Sequence, residues 1–111
     1  MIPWINLSDS TQLQDILNNK GYSLIFKHSN RCSISMMAKR NFEMDAEAIP
    51  SDVNLYFLDL IRYRTLSSEI ATVFNIRHES PQVLLISGGK CIFNASHEAI
   101  EVGETLNHLI Y

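Results

Sequence analysis

A chain of 111 residues, 46% hydrophobic and 19% charged, suffices for one compact domain with a single core, and a second domain is not expected. Its formal charge of -3 gives no global attraction to nucleic acid or acidic membranes, so neither is an expected partner. The opening MIPWINLSDS has no basic leader, no apolar run approaches the roughly 18 residues of a membrane span, and two cysteines are too few for a secreted disulfide framework, so a cytoplasmic protein with reduced thiols is expected.

Asp9 followed by Gln12 has the form of a capping box, and Leu13, Ile16 and Leu17 supply one apolar face. A first helix is predicted there, broken at Gly21. YSLIFKH, residues 22–28, reads as a short buried strand. Ile34, Met37, Ala38 and Phe42 have the spacing of a helix's inner face, which puts Cys32 near the first turn of that helix. VNLYFLDL, residues 53–60, is apolar on both alternating faces, as in a central strand covered from both sides. Leu66, Ile70, Val73 and Phe74 predict a third helix. After Pro81, QVLLIS and KCIFNA are strand-like runs joined through Gly88-Gly89, a pair that permits the positive backbone angles of a tight hairpin. Ile100, Leu106, Leu109 and Ile110 predict a closing helix. One βαβ crossover followed by a hairpin and a helix suits an α/β fold, a thioredoxin-like three-layer sandwich around a central mixed four-stranded sheet.

Cys32 is the residue on which function turns. A helix amino terminus and a neighbouring cation, here Arg31, both favour thiolate, the nucleophilic form of cysteine. Ser35, three residues on, shares the helix face of Cys32, and its hydroxyl could donate to that thiolate or bond its own helix backbone. Serine cannot form a disulfide, so a reactive Cys32 has to exchange with an external thiol. Lys27, Arg31, Lys39 and Arg40 make a local cationic cluster that reads either as an attractor of carboxylates or as a solvated face. Cys91, within KCIFNA, reads as a packing residue of a strand. His28, His78, His97 and His108 are dispersed without metal-ligand spacing, and no metal site is expected.

The segments KHSNRCSIS, HESPQ and ASH, in that order, resemble the monothiol bacilliredoxins of the YtxJ family, also called bacillithiol-system redox proteins, over almost the whole chain. The resemblance implies a thioredoxin-like fold, Cys32 as the reactive cysteine, and Ser80-Pro81 as the cis-proline turn facing it. At that turn the Ser80 backbone is expected to pair with an extended thiol substrate by strand addition. Arg31, Ser33, Ser80, Pro81, Ser96 and His97 form the expected substrate-binding set. Ser96 and His97 enter the last predicted helix, where they either hold an anionic ligand or simply start the helix. One residue departs from the family pattern: Ser33 stands where proline usually follows the cysteine, and it adds a backbone donor.

The implied activity is thiol-disulfide exchange that removes a small thiol from S-thiolated client proteins. No tightly bound cofactor is expected. Bacillithiol is the leading cosubstrate, with glutathione and coenzyme A as alternatives. Two further classes stay open. One is an iron-sulfur carrier built like monothiol glutaredoxins, which carry Gly-Phe where this chain has Ser33-Ile34; the other is a noncatalytic thioredoxin-fold adaptor.

Overall fold

A computed structural model describes residues 2–109. In chain order the elements are β1 (Ile5–Asn6), α1 (Ser10–Asn18), β2 (Tyr22–His28), α2 (Ser33–Met44), β3 (Asn54–Asp59), α3 (Arg64–Phe74), β4 (Gln82–Ser87), β5 (Lys90–Ser96) and α4 (Val102–Leu106), with 3-10 turns at Ala46–Ala48 and His97–Ala99. The sheet runs β1-β3-β2-β4-β5, parallel through its first three strands and antiparallel through the last two. It has five strands where the sequence predicts four, because Ile5 and Asn6 pair with Tyr56 and Phe57. Two residues are too few for an alternation pattern to register, so β1 exists only through its neighbour.

Strand alternation sorts the core onto two faces. Ile25, Leu58, Leu84 and Ile86 meet α1 and α3 through Leu13, Ile16, Leu66 and Ile70. Leu24, Phe26, Val83 and Leu85 meet α2 and the closing segment through Ala38, Phe42, Ile100 and Val102. The three layers are therefore helices, sheet, helices. No helix among the described residues is long and apolar enough to cross a membrane.

Local chemistry sets the element ends. The Asp9 carboxylate accepts from the Gln12 N–H at 3.0 Å while the Gln12 side chain takes the Asp9 N–H, completing the capping box that starts α1. Gly88 and Gly89 have φ of 59° and 77°, the conformation a two-residue hairpin turn needs.

Three expectations need correction. In α2 the buried stripe is Ser35, Ala38 and Phe42, whereas Ile34 and Met37 are 47% and 66% exposed. In α3, Ser67 is buried and Val73 is 42% exposed. In α2 the cause is Ser35, whose polar partners inside the fold give it the buried position beside Ile34. In α3, Ser67 is buried beside the likewise buried Leu66, while Val73 lies six residues on, on a different face of the helix. The closing segment is a 3-10 turn followed by a five-residue α4 rather than a helix through Leu109, and Ile110 lies outside the described residues.

Phe42 anchors the helix that carries Cys32. It is 1% exposed and packs against the rings of Phe26 and Trp4, with centroids 5.5 and 6.2 Å away. Phe42→Ala is expected to lower unfolding free energy by about 3–5 kcal/mol in urea titrations; a loss below about 1 kcal/mol would mean that other contacts hold α2.

Candidate active site

β2 ends at His28, and the chain turns sharply before α2: the Cys32 N–H donates to the Ser29 carbonyl at 3.2 Å. Cys32 is the N-cap of α2. Its carbonyl takes the first helical hydrogen bond, from Met36 N–H at 3.0 Å, and its side chain makes no capping bond. The N–H groups of Ser33, Ile34 and Ser35 precede that first bond and carry the helix's positive end toward the thiol. Cys32 is half-buried, flanked by exposed Arg31 and Ser33.

Ser35 is fully buried. Its hydroxyl oxygen accepts from the Ser29 N–H at 2.9 Å and lies 2.8 Å from His28 Nδ1. With His28 neutral and its proton on Nε2, the hydroxyl donates to Nδ1. The sequence offers this hydroxyl to Cys32 or to its own helix; instead it joins the strand end to the turn, one residue on either side of the β2 terminus. Burial, and secondarily the Lys39 ammonium, holds the His28 imidazole below its ordinary proton affinity, which suits the neutral tautomer.

The cationic cluster divides in space. Lys27 projects to the face of α1 and α3, where it is fully buried, donates to the Ser67 carbonyl at 3.3 Å and lies 3.2 Å from His78 Nδ1. Lys39, on the opposite face, binds the Glu43 carboxylate at 3.1 Å. Alternation along β2 separates them: Phe26 and His28 face α2, so Lys27 cannot. Arg31 and Arg40 remain exposed.

Four of the expected binding residues converge. The Ser80-Pro81 peptide is cis, and the Pro81 carbonyl accepts from the His97 N–H at 3.0 Å. Gln82 pairs with Ser96, so both ends of this contact are fixed by the sheet. Ser96 and His97 do not stand at a helix amino end, because α4 begins at Val102; His97 opens the 3-10 turn with φ 54°, and its ring faces the Glu79 carboxylate at 3.7 Å. The Ser80 hydroxyl oxygen is enclosed and has no hydrogen-bond partner. A groove of about 220 Å³ between α2 and the 97–100 segment brings Ser33, Ile34, Met37 and Asn41 against His97 and Glu98. A larger concavity, about 590 Å³, lies at the other end of α2 among Pro3, Met44, Ile49 and Val53 and contains no thiol.

Cys91 is half-buried on β5, packs against the α1/α3 core and donates its S–H to the Phe93 carbonyl at 3.3 Å. Burial pushes its thiol up from the ordinary value. It behaves as a packing residue.

The family model for monothiol bacilliredoxin BrxC matches residues 5–105. The chain belongs to the monothiol bacilliredoxin family. It is similar to a solved structure assigned as an oxidoreductase with a thioredoxin fold, at 32% identity and TM-score 0.82 over 95% of this chain and 92% of that one. The thioredoxin of Malassezia sympodialis, Mala s 13, matches at 14% identity and TM-score 0.72 over 92% and 84% of the two chains. The thioredoxin of Trypanosoma brucei brucei matches at 13% and 0.74 over 94% and 85%. The fold is thioredoxin-like, and family and fold together support a thiol redox role.

Sequence reasoning missed His28 as the partner of Ser35 and Lys27 as a buried side chain. The available signal was polar residues within YSLIFKH, a run whose length and composition require burial.

The depressed proton affinity of His28 has a sign. The unfolded chain binds the proton near 6.5 and the folded chain only at lower pH, so this stability is complete above 6.5 and is lost as pH falls through the folded value. His78, lowered by burial and by Lys27, acts with the same sign. Urea midpoints should fall from pH 7.5 to pH 5, with a smaller fall in His28→Gln and a smaller one still when His78→Gln is added; equal slopes in all three proteins would remove both imidazoles from the acid response.

Proposed function

We propose that the protein is a monothiol exchanger that removes a low-molecular-weight thiol, with bacillithiol the leading candidate, from mixed disulfides on client proteins in the cytoplasm. The observation that carries this reading is a half-exposed Cys32 at the start of α2 whose helical neighbour at the fourth position, Ser35, is buried and committed to other partners. The Cys32 thiolate attacks the small-thiol sulfur of the client's disulfide. That S–S bond breaks, the client leaves as thiolate and takes a proton from solvent, and the small thiol stays disulfide-bonded to Cys32. A second small-thiol anion attacks the bound small-thiol sulfur, giving the symmetric small disulfide and freeing Cys32.

The surroundings suit this chemistry. The positive helix end stabilises the attacking and the departing thiolate alike. The Ser80-Pro81 turn offers backbone to an extended client segment. Ile34, Met36 and Met37 expose apolar surface on the first turns of α2, where a client side chain can settle. The groove between Ser33 and His97 is smaller than the roughly 300 Å³ at which drug-sized sites begin, a scale that matches part of a small thiol.

Intact mass after incubation with oxidised bacillithiol, and separately oxidised glutathione, tests the reading. One adduct is expected, on Cys32 and not Cys91, forming faster with bacillithiol. No adduct, or an adduct on Cys91, would defeat it.

Replacing Ser35 tests the monothiol mechanism itself. Two thiols in Cys-x-x-Cys spacing at a helix start can reach bonding geometry, and a tethered attacker has a high effective concentration. In Ser35→Cys the new thiol should attack the Cys32 sulfur, expel the small thiol and leave an internal disulfide, whereas the parent adduct should persist until free thiol is added. A parent that sheds its adduct equally fast without added thiol would contradict the mechanism.

A further inference from the structure

Residues 76–79, between α3 and β4, have no regular structure, yet buried side chains hold them from below. Lys27 and Gln82 are direct partners across the antiparallel β2/β4 pair, so their side chains rise on the same face of the sheet. The Gln82 amide nitrogen donates to the Arg77 carbonyl at 3.0 Å, and its oxygen accepts from the Glu79 N–H at 3.3 Å. Between these two bonds, the Lys27 ammonium meets His78 Nδ1 at 3.2 Å and is itself steadied by the Ser67 carbonyl of α3 at 3.3 Å. Arg77, His78 and Glu79 are therefore each tied to the sheet, immediately before Ser80-Pro81.

Packing alone does not explain these residues. Gln82 is 1% exposed and Lys27 fully buried, positions where apolar side chains of similar volume avoid the desolvation of an amide and an ammonium. Burial has pushed Lys27 down to about 8, so it still carries its charge at neutral pH. Its neighbours in the ladder are Leu58 on β3 and Gln82 on β4, neither of which is charged. His78, facing it from the loop, is held neutral by burial and by the Lys27 charge, with only the Glu79 carboxylate acting in the opposite sense. The charge has no carboxylate partner among these contacts, and what it grips is the loop.

Resting on the reading of Cys32 as an exchanging thiol, we infer that Lys27 and Gln82 form a two-point staple that sets the position of the Ser80-Pro81 backbone against which a client segment lies. Both are positioning residues. They act on client exchange through residues 77–79 and leave the intrinsic reactivity of Cys32 untouched.

The test compares the parent with Lys27→Met and Gln82→Leu. Three quantities are measured: exchange of Cys32 with a cysteine peptide disulfide-bonded to bacillithiol, alkylation of Cys32 by iodoacetamide in a Cys91→Ser background, and amide hydrogen exchange of residues 77–80. Slight misplacement of a substrate-positioning element is enough to slow peptide exchange about tenfold in Lys27→Met. Alkylation, which needs no client pairing, should be unchanged, hydrogen exchange at Glu79 and Ser80 should be faster, and the urea midpoint should equal or exceed the parent's because a buried charge is gone. Gln82→Leu should give the same pattern, which secures the result if one variant folds poorly.

Peptide exchange as fast as the parent's in both variants would overturn the staple. So would a loss that appears equally in alkylation, which would locate the effect at Cys32, or one that tracks a fall in the urea midpoint, which would make the role structural. A parent that does not exchange with the peptide at all would defeat the reading of Cys32 itself, a failure visible before any variant is compared.

Discussion

The hydroxyl of Ser35 is the point on which the site depends. It ties the last residue of β2, through His28, and the first residue of the following turn, through Ser29 N–H, to the first turn of α2. Ser29 in turn accepts the Cys32 N–H, so the thiol is placed by a short chain of bonds that begins inside the protein. Losing that hydroxyl would leave the part-buried Ser29 N–H and the buried His28 ring nitrogen to find other partners, at a cost of about 1–3 kcal/mol for a buried group left unsatisfied and less for one that water can reach.

The same bond gives the monothiol character a physical sense. A second cysteine in this place would offer a weak S–H donor to His28 and a weak acceptor to Ser29. Serine holds the turn more firmly and cannot close a disulfide. Firm placement of Cys32 and the lack of a second thiol at the fourth position are thus two consequences of one oxygen atom.

Apart from Ser23 and Thr105, the buried polar side chains among the described residues gather toward this end of the sheet. On the α2 face they are His28 and Ser35; on the α1/α3 face they are Lys27, Ser67 and Gln82. The first set fixes the thiol loop and the second the loop before Ser80-Pro81, so the two segments are braced from opposite sides of one sheet. Apolar residues fill most of the remaining interior, where Leu24, Ile25, Leu84 and Leu85 have only packing to satisfy.

Periodicity and turn chemistry made most of the fold legible. Residues 22–28 and Gln82–Ser87 are strands because they are short apolar runs bounded by breakers, and Gly88-Gly89 is a hairpin because both residues need positive φ. The motif around Cys32 likewise determined which thiol is at a helix start. Tertiary structure alone decided the rest. β1 is two residues long and owes its existence to β3. Ser35 took the interior position and left Ile34 exposed because the Ser29 N–H and His28 Nδ1 awaited its hydroxyl, and hydrophobic spacing carries no information about such partners. Lys27 left its apparent cluster for the same reason: whether a lysine is solvated or buried depends on what the opposite strand and the loop above it present, and here they present Gln82, His78 and a helix carbonyl, contributed by segments at least 40 residues away in the chain.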